Sequence, residues 1–334
     1  MTDRNDLRNL GEFGLIDRIA QRLPAGTGVA LGIGDDAAAF APAPGQLNLI
    51  TTDMLVEGIH FDLSYSDPLS LGKKALSVNL SDIAAMGGKP RYYLLSLAIP
   101  PAMTLDFLDD FIGGMLSRAE QFDVQLIGGD TCSSSGPLIL TLTVLGEQSP
   151  DLLVRRSGAR PGDQICVTGT IGDSALGLRL LRQGGRQGNA IARHLDPLPR
   201  VREGLALAEA TIPSAMIDLS DGLMADLGHI LDLSAVGARI FSEALPLSDT
   251  FREHFPTLTE EALSLALAGG EDYELLFTVP PEKIPLVFTL LEKLGTPVSI
   301  IGSITTENSR TVIGSDGREI PLNKKGYDHF SYRE

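Results

Sequence analysis

The chain has 334 residues, of which 43% are hydrophobic and 21% charged, a composition that fits a folded globular protein and excludes a disordered one. Its net charge of −16 argues against nucleic acid as a partner, because phosphates require a basic surface. The length exceeds what one hydrophobic core usually organises, so we expect two domains.

The N-terminal segment MTDRNDLRNLGEF is polar and predicts no signal peptide. Nowhere do about 18 apolar residues run without interruption, so no membrane span is expected. Cys132, in a serine-rich segment read as a loop, and Cys166, in a predicted strand, show no metal-ligand spacing. Reduced thiols and a cytoplasmic location are the expectation.

The N-terminal half mixes strands and helices without strict alternation, which predicts an α+β domain. In LNLITTD, apolar alternation predicts a strand with Leu47, Leu49 and Thr51 on one face. Asp67 and Thr104 are the expected caps of two helices, DPLSLGKKALSVNLSDIAAMGG and TLDFLDDFIGGMLSRAEQF. The remaining predicted strands are RYYLLSLAIP, VQLIGG and LILTLTVLGE.

The polar segment DLLVRRSGARPGDQ, which contains glycine and proline, predicts the boundary between domains 1–150 and 151–334. Beyond it strands and helices recur, which predicts a layered α/β domain. Its predicted strands are ICVTGT, AMIDLS, YELLFTV and VSIIGSI, and the D-G turn in TVIGSDGREI predicts a hairpin. Its predicted helices are DSALGLRLLRQ, PRVREGLALAEA, DGLMADLGHILDLS, EEALSLALAG and EKIPLVFTLLEKLG.

The stretch VALGIGDDAAAF contains G-x-G-x-x-A, the spacing of a dinucleotide-binding loop. That interpretation fails, because Pro42 and Pro44 forbid the long helix that must follow. Asp35 and Asp36 would also repel a pyrophosphate unless a cation lay between them. The alternatives are turn chemistry and a metal ligand.

Other aspartates also stand beside apolar runs. Asn79 and Asp82 share one face of a predicted helix, and Ser220 is the expected cap of another whose first turn holds Asp221. Each position alone also fits a structural role, such as a favourable charge at a helix start. The recurring acids, each expected at the end of an apolar run, are Asp53, Asp82, Asp130, Asp218 and Asp221.

Carboxylates without a histidine or cysteine cluster suit a hard cation such as magnesium or manganese. Magnesium commonly shares its ligands with substrate phosphates. The sequence therefore predicts a nucleoside triphosphate bound through metal ions.

Eight motifs resemble, in the same order along the chain, those of the thiamine-monophosphate kinases. They are GIGDDAA, TTDMLVEGIHF, VNLSDIAAMGG, LIGGDT, RSGARPGD, TGTIGDSALGL, IDLSDGL and GGEDYELLF. That family belongs to the wider group similar to aminoimidazole-ribonucleotide synthetase. The resemblance implies a two-domain fold of that type and ATP-dependent phosphorylation of thiamine monophosphate to thiamine diphosphate, with several Mg²⁺ ions. It also implies a homodimer joined through the N-terminal sheets, with nucleotide in a cleft lined by both domains.

The resemblance further implies roles for single residues. The N-terminal domain would bind metal and ATP, and the C-terminal domain would complete the substrate cleft. The implied metal ligands are Asp35, Thr51, Thr52, Asp53, Asp82, Asp130, Asp218 and Asp221. Gly129, Asp130, Arg156 and Ser220 are the implied nucleotide contacts, and His60, Glu271 and Tyr327 those to thiamine phosphate. The nucleophile is an anionic phosphate oxygen, so no general base is assigned.

Two other classes stay open. One is a sister enzyme of the same group, either aminoimidazole-ribonucleotide synthetase, selenophosphate synthetase or the hydrogenase-maturation dehydratase. No N-terminal cysteine lies beside a glycine-rich loop, and the C-terminus SYRE has no terminal cysteine, which disfavours the last two. The other class is a non-catalytic nucleotide-binding relative, which would lack some of the metal aspartates.

Overall fold

A computed structural model describes residues 7–23, 28–33, 37–321 and 326–327 of the chain. The chain forms two compact units. Unit 1 comprises Met1–Ile83 and Lys89–Pro150, and unit 2 comprises Ala84–Gly88 and Asp151–Glu334. No helix among the described residues is long and apolar enough to cross a membrane.

Unit 1 is built on a four-stranded sheet with the order β3-β6-β4-β5. Only β4 and β5 pair in parallel. The elements are α1 (Leu7–Ala20), β1 (Val29–Leu31), β2 (Ala39–Phe40), β3 (Leu47–Val56), α2 (Pro68–Ala85), β4 (Lys89–Ile99), α3 (Leu105–Phe122), β5 (Gln125–Ser133) and β6 (Ile139–Gln148).

The two faces of this sheet differ in burial, as alternation along a strand requires. On one face Leu140, Leu142 and Val144 of β6 are fully buried. On the opposite face Ile50 and Met54 of β3 are 68% and 57% exposed. The sheet therefore has one core face and one open face, which is exposed and apolar along β3 but covered by Phe40 at Tyr92 of β4.

Both predicted caps in unit 1 are confirmed. The Asp67 Oδ1 atom accepts the Ser70 N–H at 2.9 Å, and the Thr104 Oγ1 atom accepts the Phe107 N–H at 3.2 Å. Helices α2 and α3 approach closely at Gly114, where an added Cβ would lie 1.9 Å from the Leu69 carbonyl oxygen. Any larger side chain there would push the helices apart.

Unit 2 is built on a seven-stranded sheet with the order β13-β12-β9-β11-β7-β10-β8. All neighbours pair antiparallel except β12 and β9. The elements are β7 (Gln164–Thr168), α4 (Asp173–Arg182), α5 (Asn189–Leu195), α6 (Val201–Glu209), β8 (Ala215–Asp218), α7 (Leu223–Ser234), β9 (Gly237–Phe241), α8 (Asp249–His254), α9 (Glu260–Ala268), β10 (Leu275–Val279), α10 (Ile284–Leu294), β11 (Val298–Thr305), β12 (Arg310–Ile313) and β13 (Glu319–Ile320).

A buried apolar cluster joins this sheet to its helices, with Ile165, Leu227, Phe251 and Leu276 among its members. The predicted hairpin is confirmed, because β12 and β13 pair antiparallel around Gly317 at φ 75°. The elements missed from the sequence include α5, α8 and β9. They are short, between five and seven residues, and offer little periodicity to detect.

Several expected positions are wrong. Asp53 and Asp130 lie inside β3 and β5, not at the ends of apolar strands, and Cys132 also lies in β5 instead of a loop. Each strand continues past its apolar run, because strand pairing extends through the polar residues. Asp218 does end its strand, β8, as expected.

Candidate functional site

In unit 1, β3 and α2 bring three of the predicted ligands together. The Thr51 Oγ1 atom donates to Asp82 Oδ2 at 2.5 Å, and Thr51 and Asp53 lie on the same face of β3. The fully buried Asn79 accepts the Asp53 N–H at 3.1 Å through Oδ1 and donates to the Ala75 carbonyl at 3.3 Å. The spacing of Asn79 and Asp82 on α2 therefore aims both side chains at one segment of β3.

Asp53 and Asp82 form a carboxylate pair that is unfavourable when both are ionised. Burial, together with the negative charge of Asp82, raises the pKa of Asp53 to about 7. A nearby cation would reverse this effect, because it favours the ionised form of both carboxyls. The pair with Thr51 is an all-oxygen donor set.

Thr52 does not join this group through its side chain. The strand turns the Thr52 hydroxyl to the other face, where Oγ1 donates to the Leu142 carbonyl and lies 3.0 Å from Thr143 Oγ1. Both contacts belong to the sheet itself.

Gly129 and Asp130 lie on the far strand of the sheet. Across the sheet, Asp53 pairs with Leu142, Leu142 with Leu95, and Leu95 with Gly129. Strand β5 therefore lies three strand spacings, about 14 Å, from β3. Asp130 is exposed and pairs in register with Ser96. Within unit 1 the structure therefore does not bring Asp130 to Asp53. An added Cβ at Gly129 would lie 1.9 Å from the Leu95 carbonyl oxygen, so only glycine fits.

His60 follows β3 in a turn and is half-buried. Its Nδ1 atom accepts the Val56 N–H at 3.0 Å, which places the proton of the neutral imidazole on Nε2. Asp35, the first predicted metal ligand, lies outside the described residues.

In unit 2, the loop between β8 and α7 is organised by one carboxylate. The Asp226 Oδ2 atom accepts the N–H groups of Ser220, Asp221 and Gly222 at 3.0, 3.1 and 3.1 Å. The expected Ser220 cap is wrong, since the N-cap residue is Gly222 and no side chain bonds there as a cap. Asp221 precedes the helix, because α7 begins only at Leu223.

Glu271 and Tyr327 attach to this same loop through backbone hydrogen bonds. The Glu271 N–H donates to the Ser220 carbonyl at 2.8 Å, and the Tyr327 N–H donates to the Asp221 carbonyl at 3.0 Å. The Tyr273 N–H donates to the Leu219 carbonyl at 2.9 Å. The structure thus brings Glu271 and Tyr327 to the adjacent pair Ser220 and Asp221, although the three segments are far apart in the sequence.

The carboxylates around this loop repel one another. Burial, then the charges of Asp218 and Asp221, raise the pKa of Asp226 to about 8, although its backbone hydrogen bonds oppose the shift. Among the described residues, no three acidic, histidine or cysteine side chains form a group that could hold a metal ion. Arg156 is exposed in the segment before β7.

Sequence reasoning missed Asp226, and a signal for it exists. In SDGLMAD the acid falls in the first turn after the glycine, where a carboxylate can reach the unpaired N–H groups of a helix start. It also missed Asp272, which is buried and accepts the N–H groups of Gly172 and Ser174 at 2.7 and 3.2 Å. Burial raises the pKa of Asp272 to about 7.

Comparison with known proteins adds independent evidence. Residues 34–148 match the family model of the AIR synthase related protein, N-terminal domain, and residues 160–315 match that of its C-terminal domain. The thiamine-monophosphate kinase of Escherichia coli (strain K12) is 44% identical over 328 residues, which cover 96% of this chain and 98% of that protein.

Two solved structures are similar in fold as well as in sequence. The crystal structure of thiamine-monophosphate kinase from Stenotrophomonas maltophilia K279a is 39% identical, has a TM-score of 0.83, and is matched over 93% of this chain and 98% of that one. A structure described as "AaThiL complexed with AMPPCP and TMP" is 35% identical with a TM-score of 0.75, over 99% and 100% of the two chains. The expected two-domain fold is confirmed, and the chain belongs to the thiamine-monophosphate kinase family of AIR synthase related proteins.

Proposed function

We propose that this chain transfers the γ-phosphoryl group of ATP to the phosphate of thiamine monophosphate, releasing ADP and thiamine diphosphate. The observation that carries the proposal is the hydrogen-bonded assembly of Ser220, Asp221, Glu271 and Tyr327 in unit 2. The names of its relatives, and the AMPPCP and TMP bound by one of them, support the same reaction.

The reaction is an in-line displacement in this proposal. An acceptor phosphate oxygen, already anionic at neutral pH, forms a bond to the γ-phosphorus. The bond from that phosphorus to the β,γ-bridging oxygen breaks, and ADP leaves with the electron pair. No side chain has to remove a proton, so the protein mainly positions the two phosphates.

The donor sets fit Mg²⁺, which prefers oxygen ligands and completes its sphere with water and substrate phosphates. Asp53, Asp82 and Thr51 would hold it in unit 1, and Asp218 and Asp221 in unit 2. Burial and the charge of Asp82, which together raise the pKa of Asp53, make a cation favourable there and support this assignment. When bound, Mg²⁺ supplies charge neutralisation for the polyphosphate. Asp35, Thr52 and Asp130 remain proposed ligands by family resemblance.

The remaining contacts divide between the substrates. Gly129, Asp130, Arg156 and Ser220 contact nucleotide in this proposal, and an arginine can form a forked pair with a phosphate. His60 and Glu271 contact thiamine phosphate, with the Glu271 carboxylate complementing the cationic thiazolium. Tyr327 stacks on one of its rings.

The open face of the unit 1 sheet is the proposed homodimer interface. Ile50 and Met54 expose apolar surface there, which association with a second copy would bury. Light scattering should give twice the chain mass, and Met54→Glu should shift the protein toward monomer. A monomeric wild-type protein would contradict the interface. The free Cys132 and Cys166 support a cytoplasmic location.

The experiment that tests the function is a coupled ADP assay with Mg²⁺, comparing thiamine monophosphate with thiamine. We expect ADP and thiamine diphosphate in equal amounts with the monophosphate alone. Absence of turnover across a range of divalent cations would refute the proposal. A panel of acceptor substrates separates a synthetase-like activity, and ATP binding without transfer indicates a non-catalytic relative.

A further inference from the structure

Behind Glu271, unit 2 holds a buried histidine to which no role has been assigned. His194 lies in the last turn of α5 and is 3% exposed. Its Nδ1 atom lies 3.0 Å from Ser174 Oγ and 3.3 Å from Glu271 Oε2. The Glu271 side chain is 26% exposed, so it contacts the histidine through Oε2 and still reaches solvent in part.

The position of His194 is fixed by its surroundings. Helices α4 and α5 pack so closely that an added Cβ at Gly177 would lie 2.1 Å from the Ala190 carbonyl oxygen. The neighbouring Arg193 donates to the buried Glu274 at 2.5 Å. These contacts hold the imidazole at a set distance from the Glu271 segment.

Ser174 is equally constrained. It lies in the first turn of α4, and its N–H donates to the buried Asp272 at 3.2 Å. The hydroxyl therefore approaches Nδ1 of His194 from a rigid helix start. The Ser174 side chain on α4 and the His194 side chain on α5 therefore meet at the Nδ1 atom of the imidazole.

The backbone of Glu271 is fixed from the other side. Its φ of 66° lies in the left-handed region, and its N–H donates to the Ser220 carbonyl at 2.8 Å. Because the backbone is held, the carboxylate can change position only by rotation about the bonds of its own side chain. A partner for one oxygen removes much of that freedom and leaves the rest of the carboxylate for a ligand.

The hydrogen on the imidazole follows from the chemistry of its partners. An ionised carboxylate only accepts hydrogen bonds, so the contact with Glu271 is favourable when Nδ1 carries the proton. The same Nδ1–H can be shared with Ser174 Oγ. The ring thus presents a donor to the carboxylate, in contrast to His60, whose Nδ1 accepts.

We propose that His194, supported by Ser174, is a positioning residue that holds the Glu271 carboxylate in place for the thiamine moiety of the acceptor. This inference rests on the proposed function, which gives Glu271 its substrate. Because the contact concerns only the acceptor side, its loss should weaken thiamine monophosphate and leave the nucleotide unaffected.

Steady-state kinetics with each substrate varied in turn test the proposal. In His194→Asn the amide nitrogen takes the place of Nδ1–H, whereas in His194→Gln the amide reaches the position of Nε2. We expect His194→Gln to raise the KM for thiamine monophosphate at least fivefold with the KM for ATP unchanged, and His194→Asn to change either by less than twofold. The matched control is His254→Asn, at an exposed histidine whose ring nitrogen Nδ1 lies 3.0 Å from the Thr250 carbonyl of its own helix.

A double-mutant cycle shows whether the effect passes through Glu271. In a Glu271→Gln background, His194→Gln should add no further rise in the KM for thiamine monophosphate. An equal rise in both backgrounds, or equal rises in the KM values for both substrates, would overturn the proposal.

A spectroscopic measurement keeps the test independent of turnover. Imidazole ¹⁵N shifts of labelled protein should report a protonated Nδ1 at His194 that responds to Glu271→Gln and not to His254→Asn. An unprotonated Nδ1, or one insensitive to Glu271→Gln, would overturn the positioning contact. Failure of the wild-type protein to phosphorylate thiamine monophosphate would instead refute the proposed function.

Discussion

Glu274 is the centre of a buried ionic network, and its replacement gives a strong prediction. The carboxylate is fully buried. Its Oε1 atom accepts from Arg193 at 2.5 Å and from Arg200 Nη2 at 2.7 Å, and its Oε2 atom accepts from Arg200 Nε at 2.6 Å and from Thr168 at 2.7 Å. Burial opposes ionisation, but the charges and hydrogen bonds of Arg200 and Arg193 lower the pKa of Glu274 below its ordinary value.

Glu274→Gln keeps the shape of the side chain and removes its charge. Arg193 and Arg200 then lose the charge of Glu274, and Arg200 keeps only its 3.5 Å pair with Glu203. The new amide NH₂ group also faces N–H or O–H donors where an oxygen had accepted. Removing one partner of a buried ion pair costs about 3–5 kcal/mol. At roughly 2–4 °C per kcal/mol for a unit of this size, the Tm should fall by about 6–20 °C.

Calorimetry of both proteins at pH 7 measures this change, since the chain contains no tryptophan to report unfolding by fluorescence. The control is Glu261→Gln, whose pair with Arg179 lies at the surface and should contribute at most about 1 kcal/mol. A group whose folded pKa is lowered stabilises above its unfolded pKa and loses that effect as the pH falls. The difference between wild type and Glu274→Gln should therefore shrink below about pH 4.5. A loss under about 1 kcal/mol at pH 7 would refute the reasoning.

Substitutions at three further residues give additional tests. Asp130→Asn should lower phosphoryl transfer by orders of magnitude while the Tm stays level, because Asp130 is exposed and surface substitutions change stability little. Collapse of the fold would give Asp130 a structural role. Asp226→Ala leaves three N–H groups without their acceptor and should lower the free energy of unfolding, measured by urea titration, by about 2–4 kcal/mol. Asp226→Asn keeps an acceptor oxygen and should lower it by under about 1 kcal/mol. Equal losses in the two variants would contradict this. Because the folded pKa of Asp272 is raised, its protonated form stabilises the fold at pH values below the ordinary pKa of a carboxyl group. This stabilisation is lost as the pH rises through about 7. Stability of wild type relative to Asp272→Asn should thus fall by about 4 kcal/mol from acid to neutral pH, and a constant difference would speak against burial as the cause.

The long elements could be predicted from the sequence because each carries its own signal. Helix α3 has a threonine cap and a sustained apolar face, and β6 alternates between buried and half-buried residues over ten positions. Helix α5 has no such signal. It follows Gly188 and has only seven residues, and it is held in place by packing against α4, which only the folded chain shows.

The same division applies to the site. Asn79 and Asp82 could be predicted to share a face, because helical spacing is local. The order β3-β6-β4-β5 could not be predicted, and it is this order that separates Asp53 from Asp130 by three strand spacings. The capping of the 220–222 loop was missed because a preceding serine and a following aspartate are both reasonable caps, and backbone geometry selects between them.

The left-handed backbone at Glu271 has a consequence for how this protein changes over time. Glycine would adopt a φ of 66° with less strain, as would a glycine at Tyr273, where φ is 51°. Selection for a more durable fold alone would thus drive both positions toward glycine. A glutamate is therefore expected to persist at position 271 only where its side chain is used. A glycine at this position would mark a related protein that no longer binds the acceptor substrate.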